Sequence, residues 1–200
     1  MKLPDTFILY DIEYTAWEGS QERNWDYNWE EKEIIQISAF KIKKINKYFH
    51  VREIFNVYIK PVKNPILSKY ITNLTGITNL KMKAFGINIK TGLKQFHDFC
   101  SSENELYHCF SYGNDYKVIK ENLILNKIPK NSKLYKMGNK MHDIKKLFNH
   151  YGINTNKYSS GEIYKYFNKE MVDADVHNAL WDIKSQFIAL NELVRIGYHL

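Results

Sequence analysis

The chain has 200 residues, 44% hydrophobic and 15% aromatic, enough to bury a core in one domain over residues 1–200 and too apolar for a disordered chain. Two cysteines, Cys100 and Cys109, cannot make a disulfide framework and point to a reducing, cytoplasmic compartment. No run approaches the ~20 consecutive apolar residues of a membrane span, and Asp11 and Glu13 interrupt the first apolar run, unlike a signal peptide. The net charge of +7 is almost all lysine, since arginine occurs only at Arg23, Arg52 and Arg195. That balance fits a polyanion partner. It fits equally the lysine inflation of AT-rich coding, because Asn, Ile and Tyr are abundant too.

Taken in chain order, Thr6–Asp11 is an apolar run ending in acid and reads as a buried strand. Residues 18–33 are polar and dotted with tryptophan, without apolar period, and read as a loop. Glu33–Lys43 and Phe49–Lys60 read as two further strands joined by a turn at Asn46-Lys47, an antiparallel meander ended by Pro61 and Pro65. Ser68–Asn73 has room for one or two helical turns, and Thr75-Gly76-Ile77-Thr78 reads as a turn with a helix start behind it. Asn88–Cys100 has helical period, with Ile89, Leu93, Phe96 and Phe99 on one side. Glu105–Ser111 is expected as a fourth strand, Asn114–Leu125 as a helix capped by Asn114, and Ser132–Met137 as a fifth strand. Helices are expected near Asp143–Tyr151, Ser160–Phe167 and Val176–Ile196, with Ser159-Ser160-Gly161-Glu162 in capping-box form. Strands first and alternating β and α afterwards imply an α/β fold, a mixed sheet flanked by helices with an antiparallel hairpin at one side.

Three acidic constellations carry chemistry. Asp11-Ile12-Glu13 ends the first strand, and residues two apart in a strand share a face. Two like charges held together raise one another's pKa unless a cation lies between them, and all-oxygen ligands suit Mg²⁺ or Mn²⁺. Taken alone, the pair also fits a solvated strand end. Asp115 follows an apolar strand and opens a helix, where the helix dipole by itself favours an acid. Asp182 sits in an apolar helical run and needs a partner. His177 lies five residues earlier, far around a helix from Asp182, so both serve one site only if His177 precedes the first turn, with Asp173 or Asp175 capping such a start.

In order, these are D-x-E at a strand end, an acid at a strand–helix junction and H-x4-D on the last helix. The pattern resembles the DEDDh 3′–5′ exonucleases of the ribonuclease H-like superfamily, and within them the Eri/KapD-like branch. The matching segments are Tyr10 to Glu18, Glu33 to Ile37, Leu74 to Thr78, Ser111 to Asp115 and His177 to Asp182, spread over residues 7 to about 190. The third acid could align at Asp115 or toward Tyr116. Asp115 is chosen because Val118 and Ile119 then take the buried helix positions behind it. The tyrosine-using sister group needs Tyr four residues before Asp182, where this chain has Asn178.

The resemblance implies a five-stranded sheet, antiparallel through strands one to three and then parallel. It implies that Asp11, Glu13, Asp115 and Asp182 hold two divalent cations, Mg²⁺ or Mn²⁺, about 3.5–4 Å apart across the scissile phosphate. His177 would be the general base, being the residue type whose charge changes near neutrality. The substrate would be single-stranded RNA or DNA with a free 3′ end, RNA favoured, and the product nucleoside 5′-monophosphates. Tyr14, Thr15 and Trp17 follow Glu13 and are placed to hold the terminal nucleotide, by base stacking in the case of an aromatic. Packing under the next loop explains Trp17 equally well. The loop with Trp25, Tyr27 and Trp29 either walls the site or binds a partner. No membrane contact is expected, and with no appended nucleic-acid-binding domain, targeting is left to partners.

Weaker patterns are set aside. His97 and Cys100 have H-x2-C spacing without a second pair for zinc. Thr75-Gly76-Ile77-Thr78 lacks the ending of a phosphate loop. Two other functions compete: a noncatalytic nucleic-acid-binding or partner-docking domain on the same fold, against which the complete set of five motif residues argues, and an endonuclease, which a circular substrate would separate.

Overall fold

The computed structural model describes residues 2–103, 105–171 and 177–200. Its centre is a five-stranded sheet in the order β3-β2-β1-β4-β5. The strands are β1 (Thr6–Tyr14), β2 (Ile34–Ile45), β3 (Tyr48–Tyr58), β4 (Cys109–Ser111) and β5 (Met141–Asp143). β1–β2 and β2–β3 pair antiparallel, β1–β4 and β4–β5 parallel. This is the expected mixed sheet. The helices are α1 (Lys69–Thr75), α2 (Asn79–Phe85), α3 (Ile89–Phe99), α4 (Asp115–Leu125), α5 (Lys133–Lys136), α6 (Lys145–His150) and α7 (Ala179–Arg195).

β1 is the axis of the molecule, because strand alternation sends its apolar residues into two cores. Phe7 and Leu9 pack with Phe148 of α6, Ile163, and Ile183, Leu190 and Leu193 of α7. Ile8, Tyr10 and Ile12 pack on the other face with Leu93 and Phe96 of α3 and Val118, Ile119 and Leu123 of α4. Ile89, Leu93 and Phe96 of the stripe expected on α3 are therefore core, with Phe99 packed against it, and His97 on α3 is 8% exposed. Asp11 and Glu13 continue the face begun by Phe7 and Leu9, so the acids emerge where the apolar layer under α7 ends.

A third cluster joins Ala16 and Ile35 to Ile71, Ile77 and Met82 around α1 and α2. The segment Thr75 to Thr78 is a helix stop and a helix start. Thr75 Oγ1 donates back to the Ile71 carbonyl, Gly76 takes the left-handed conformation at φ +68°, and Thr78 caps α2 by accepting from Lys81 N–H.

Two expectations are corrected. Ser132–Met137 is not a strand: Ser132 caps the short helix α5, whose Leu134, with Met137, points into the α3–α4 core. The fifth strand is Met141–Asp143, three residues paired one-for-one with β4, too short and too polar to show any alternation. Asn114 precedes α4 but makes no side-chain cap. The segment Ser160–Phe167 is helical with the tighter 3-10 hydrogen bonding. The expected helix start at Val176, and the capping residues Asp173 and Asp175, lie outside the described residues.

Asn122 ties α4 to the start of β2. Its side chain, 1% exposed, donates to the carbonyls of Lys32 (2.6 Å) and Val118 (2.9 Å) and accepts from Ile34 N–H (3.1 Å). Asn122→Ala would strand two backbone groups and is expected to lower stability by about 2–4 kcal/mol. Urea unfolding at pH 7 checks this, with an unchanged midpoint counting against it.

Candidate active site

The C-terminal end of β1 opens into a cavity of about 530 Å³, lined among others by Asp11, Glu13, Tyr14, Asp115, His177 and Asp182. The five residues of the D-x-E, D and H-x4-D pattern thus meet in one place. Asp11 and Glu13 reach it from one face of β1 and Asp182 from the first turn of α7. One carboxylate oxygen from each of these three lies within 4.8 Å of the others. Asp115 stands outside that triad, because α4 packs against the opposite face of β1 and its acid approaches around the strand end.

Several groups that sequence reasoning missed hold this arrangement. Ser160 Oγ donates to Asp182 Oδ2 (2.5 Å), and His177 N–H donates to Asp182 Oδ1 (3.3 Å). Gln36, fully buried on β2, accepts from Ala179 N–H (3.3 Å) and donates to Asn56 Oδ1 (2.9 Å), so it anchors the first turn of α7 to the sheet. Asn178 caps α7 by accepting from Leu180 N–H. His177 lies just before that cap at φ +68°, a left-handed conformation unusual for a residue with Cβ. It therefore precedes the helix, as its five-residue spacing from Asp182 requires. Gln36 sits in a β-rich run and Ser160 in a capping pattern. Either signal is readable as secondary structure, but neither shows where its side chain goes.

The electrostatics are those of crowded like charges. Burial pushes Asp11 well above the usual carboxylate range, with Asp115, Asp182 and Glu13 adding to it. Burial, Asp182 and Asp115 do the same to Glu13. Asp115 is pushed up to about 8 by burial, Asp182 and Asp143, against a lowering hydrogen bond from the Ile12 backbone. Asp182 is raised by burial, and the rise is limited by Ser160 and His177. Tyr14, its phenol pushed up to about 12 by burial and then by Asp115 and Glu13, stays a neutral donor beside them. Among the described residues no lysine or arginine pairs with these acids, and Asp115 Oδ2 is buried without a partner. An all-oxygen donor set with an orphaned carboxylate oxygen fits a hard divalent cation.

Of the residues expected to hold substrate, Tyr14 lines the cavity while Thr15 and Trp17 do not. Thr15 is 2% exposed, donates to the Glu31 carbonyl and accepts from Glu33 N–H (2.9 Å). Trp17 packs edge-on against Trp29, 4.9 Å between ring centres. Gln21 and Trp25 from the following loop, Tyr70, Ile71 and Leu74 from α1, and Tyr112 after β4 complete the walls named here.

With this geometry in place, comparison with known proteins decides the family. The RNase T model, described as exonuclease, matches residues 8–189. The chain belongs to the RNase T exonuclease family. The 3′–5′ exonuclease Snipper of Drosophila melanogaster is 33% identical over 100 residues, covering 48% of this chain and 32% of that protein. ERI1 exoribonuclease 2 of Xenopus laevis is 32% identical over 92 residues, covering 46% of this chain and 12% of that protein. These matches span under a third of those relatives' lengths. The nuclease domain of 3′hExo, a DEDDh family member bound to rAMP, superposes with a TM-score of 0.79 at 20% identity, covering 98% of this chain and 94% of that one. The fold of this RNase T family member is therefore the ribonuclease H-like fold of DEDDh exonucleases, as the motifs implied.

The raised carboxylates set a pH dependence in the metal-free protein. A folded-state pKa above the unfolded value makes the group most compatible with folding at low pH, and that advantage is lost as pH rises through the folded value. For Asp115 the window runs from about 4 to about 8. Asp115→Asn is expected to raise the Tm of metal-free protein at pH 8.5 by roughly 2–8 °C, for a gain of about 1–2 kcal/mol. The gain should shrink at pH 4. Calorimetry with EDTA at both pH values checks it, and an equal change at both would contradict the electrostatic cause.

Proposed function

We propose that this family member is a metal-dependent 3′–5′ exonuclease, with residues 1–200 acting as one domain on single-stranded nucleic acid, RNA preferred to DNA. The observation that carries the reading is the meeting of three carboxylates from two elements within 4.8 Å, with Asp115 and His177 at the same cavity. The likeness to a relative named as an exoribonuclease and to a nuclease domain bound to rAMP supports the choice of RNA. Both cysteines are buried and free, which supports work in a reducing compartment such as the cytoplasm.

Asp11, Glu13, Asp115 and Asp182 would hold two Mg²⁺ or Mn²⁺ ions. Bound there, the ions would offset charge on the phosphate and favour hydroxide from water near neutral pH. The chain's own residues do the rest. His177, on a turn outside the regular helix, takes the proton of the attacking water. Ser160 and the His177 N–H fix both oxygens of Asp182, so that this carboxylate does not rotate when substrate arrives. Water adds to the terminal phosphorus, the bond to the 3′ oxygen of the penultimate nucleotide breaks, and that oxygen leaves as a hydroxyl. The products are a nucleoside 5′-monophosphate and a strand one residue shorter. The cavity walls come from Tyr14, Trp25, Tyr70 and Leu74, groups that meet a base by its surface and give little sequence selectivity.

Matched 5′-labelled RNA and DNA single strands, incubated with Mg²⁺, Mn²⁺ or EDTA, test the reading. A ladder shortening from the 3′ end is expected, faster on RNA, absent with EDTA and absent in Asp11→Ala. His177→Ala is expected to lower kcat by about 10²–10⁴-fold. Retained binding without a ladder in either metal would identify a noncatalytic domain, and cutting of a circular strand an endonuclease.

A further inference from the structure

Residues 17–33 form a long connection without regular secondary structure, and connections of that kind are usually functional or disordered. This one is built around buried polar contacts. Arg23 pairs with the fully buried carboxylate of Glu30 and also donates to the Glu18 carbonyl. Ser20 Oγ donates to Glu30 (3.1 Å) and accepts from Trp17 N–H (2.8 Å). Asn24 and Trp25 both have φ +54°, two successive left-handed residues that turn the chain sharply inward.

The turn delivers one aromatic ring to the cavity. Trp25 is half-buried, its Nε1–H donates to the Thr15 carbonyl (3.1 Å), and its ring lies 5.6 Å from that of Tyr14, tilted by 54°. Lys32 Nζ sits over the ring, 4.3 Å from its centre. Lys32 belongs to a separate polar cleft on the α4 side, which it lines with Asn24, Trp25 and Lys117, and it is not part of the cavity wall. Lys32 thus meets the Trp25 ring from the side of the cleft, while the same tryptophan also lines the cavity that holds Asp11, Glu13 and Asp182. Tyr70, Ile71 and Leu74 of α1 stand among the same walls.

The charge of the cavity makes that face matter. Among the described residues its lining contains no lysine or arginine. Attraction between lysine and phosphate therefore does not act from within the cavity, and the surfaces it offers to a base are its aromatic and apolar walls. We propose that Trp25 is the stacking platform for the 3′-terminal nucleobase and sets how far the 3′ end advances over the acids. This rests on the exonuclease reading above and assigns to a loop residue the stacking role that the sequence had offered to Trp17.

The experiment compares kcat/KM for two 5′-labelled single strands that differ only in the 3′-terminal nucleotide, intact or lacking its base. Wild type is expected to favour the intact end by about tenfold or more. In Trp25→Ala the preference should fall below about threefold, because the intact substrate loses its contact while the baseless one has none to lose. Trp25→Leu, which keeps apolar packing but has no aromatic face, should behave likewise, and Trp25→Phe should restore most of the preference. A merely structural loss would slow both substrates alike and leave the ratio unchanged, and that result would overturn the proposal. So would a wild type that does not distinguish the two ends. If wild type degrades neither strand, it is the exonuclease reading that fails. The stacking proposal is then judged by calorimetric titration with AMP: affinity at least tenfold weaker in Trp25→Leu supports it, and equal affinities overturn it.

Discussion

Crowding of carboxylates at the end of β1 is the constraint on which the rest of the structure depends. Asp11 and Asp182 are 6% and 3% exposed; Asp182 raises the pKa of Asp11, Glu13 and Asp115, and Asp11 is raised further by Asp115 and Glu13. Leaving such a group in place works against folding unless something positive enters, because buried like charges repel in a medium that screens them poorly. The protein spreads this strain over several supports. The acids come from three separate elements, so no single strand or helix has to hold all of the charge. Hydrogen bonds from Ser160 and the His177 backbone stabilise the ionised form of Asp182. The unpartnered Asp115 oxygen is left available to a ligand rather than to the protein.

The supports explain why the polar residues of the sheet lie where they do. Gln36 and Ser38, both fully buried on β2, donate to Oδ1 of the exposed Asn56 on β3, and Gln36 also binds the N-terminus of α7. A buried amide is tolerated when its groups are satisfied, and here it fixes the rotation of the helix that presents Asp182. Glu33, just ahead of β2, accepts from the backbone N–H groups of Lys63 (2.9 Å) and Asn64 (2.7 Å), which pins the exit of β3 beside the loop that carries Trp25. Position at the site is thus set by contacts one layer behind it.

What could be read from the sequence divides along physical lines. The D-x-E pair was legible because strand periodicity of two is rigid, and the sharing of a face by Asp11 and Glu13 follows from it. His177 was legible for a geometric reason as well: five residues do not fit one helix face, so it had to precede α7. Val118 and Ile119, the two positions whose expected burial chose Asp115 over Tyr116, are 7% and 1% exposed. β5 was not legible, because Met141–Asp143 is defined by parallel pairing with a strand 32 residues earlier and not by its own pattern. Ser132–Met137 misled because a four-residue helical turn in which lysines flank Leu134 and Tyr135 and Met137 follows presents the same composition as a short strand. Trp17 and Trp25 could not be told apart, since which of two tryptophans enters the cavity depends on two consecutive positive φ values at Asn24 and Trp25, a conformation that asparagine favours but that nothing about a tryptophan announces.

The loop from 17 to 33 also inverts the charge of the molecule. The chain carries +7, yet this stretch has six acids against two bases. A surface built to grip phosphates would have the opposite balance. Two of its acids are already used inside, Glu30 on Arg23 and Glu33 on backbone N–H groups, and both bases are engaged with the loop's own aromatic rings, Arg23 over Tyr27 and Lys32 over Trp25. Half of the loop's eight charges thus go into its own architecture. Rigidity gained this way has a consequence for binding, because a side chain already fixed in place loses little entropy when a ligand arrives. Trp25 is held by its indole N–H, by its backbone N–H on the Ser20 carbonyl (2.8 Å) and by Lys32 on one face. These contacts build the loop as a wall of the cavity, and a wall held in this way beside four acids would place a base with little entropy lost.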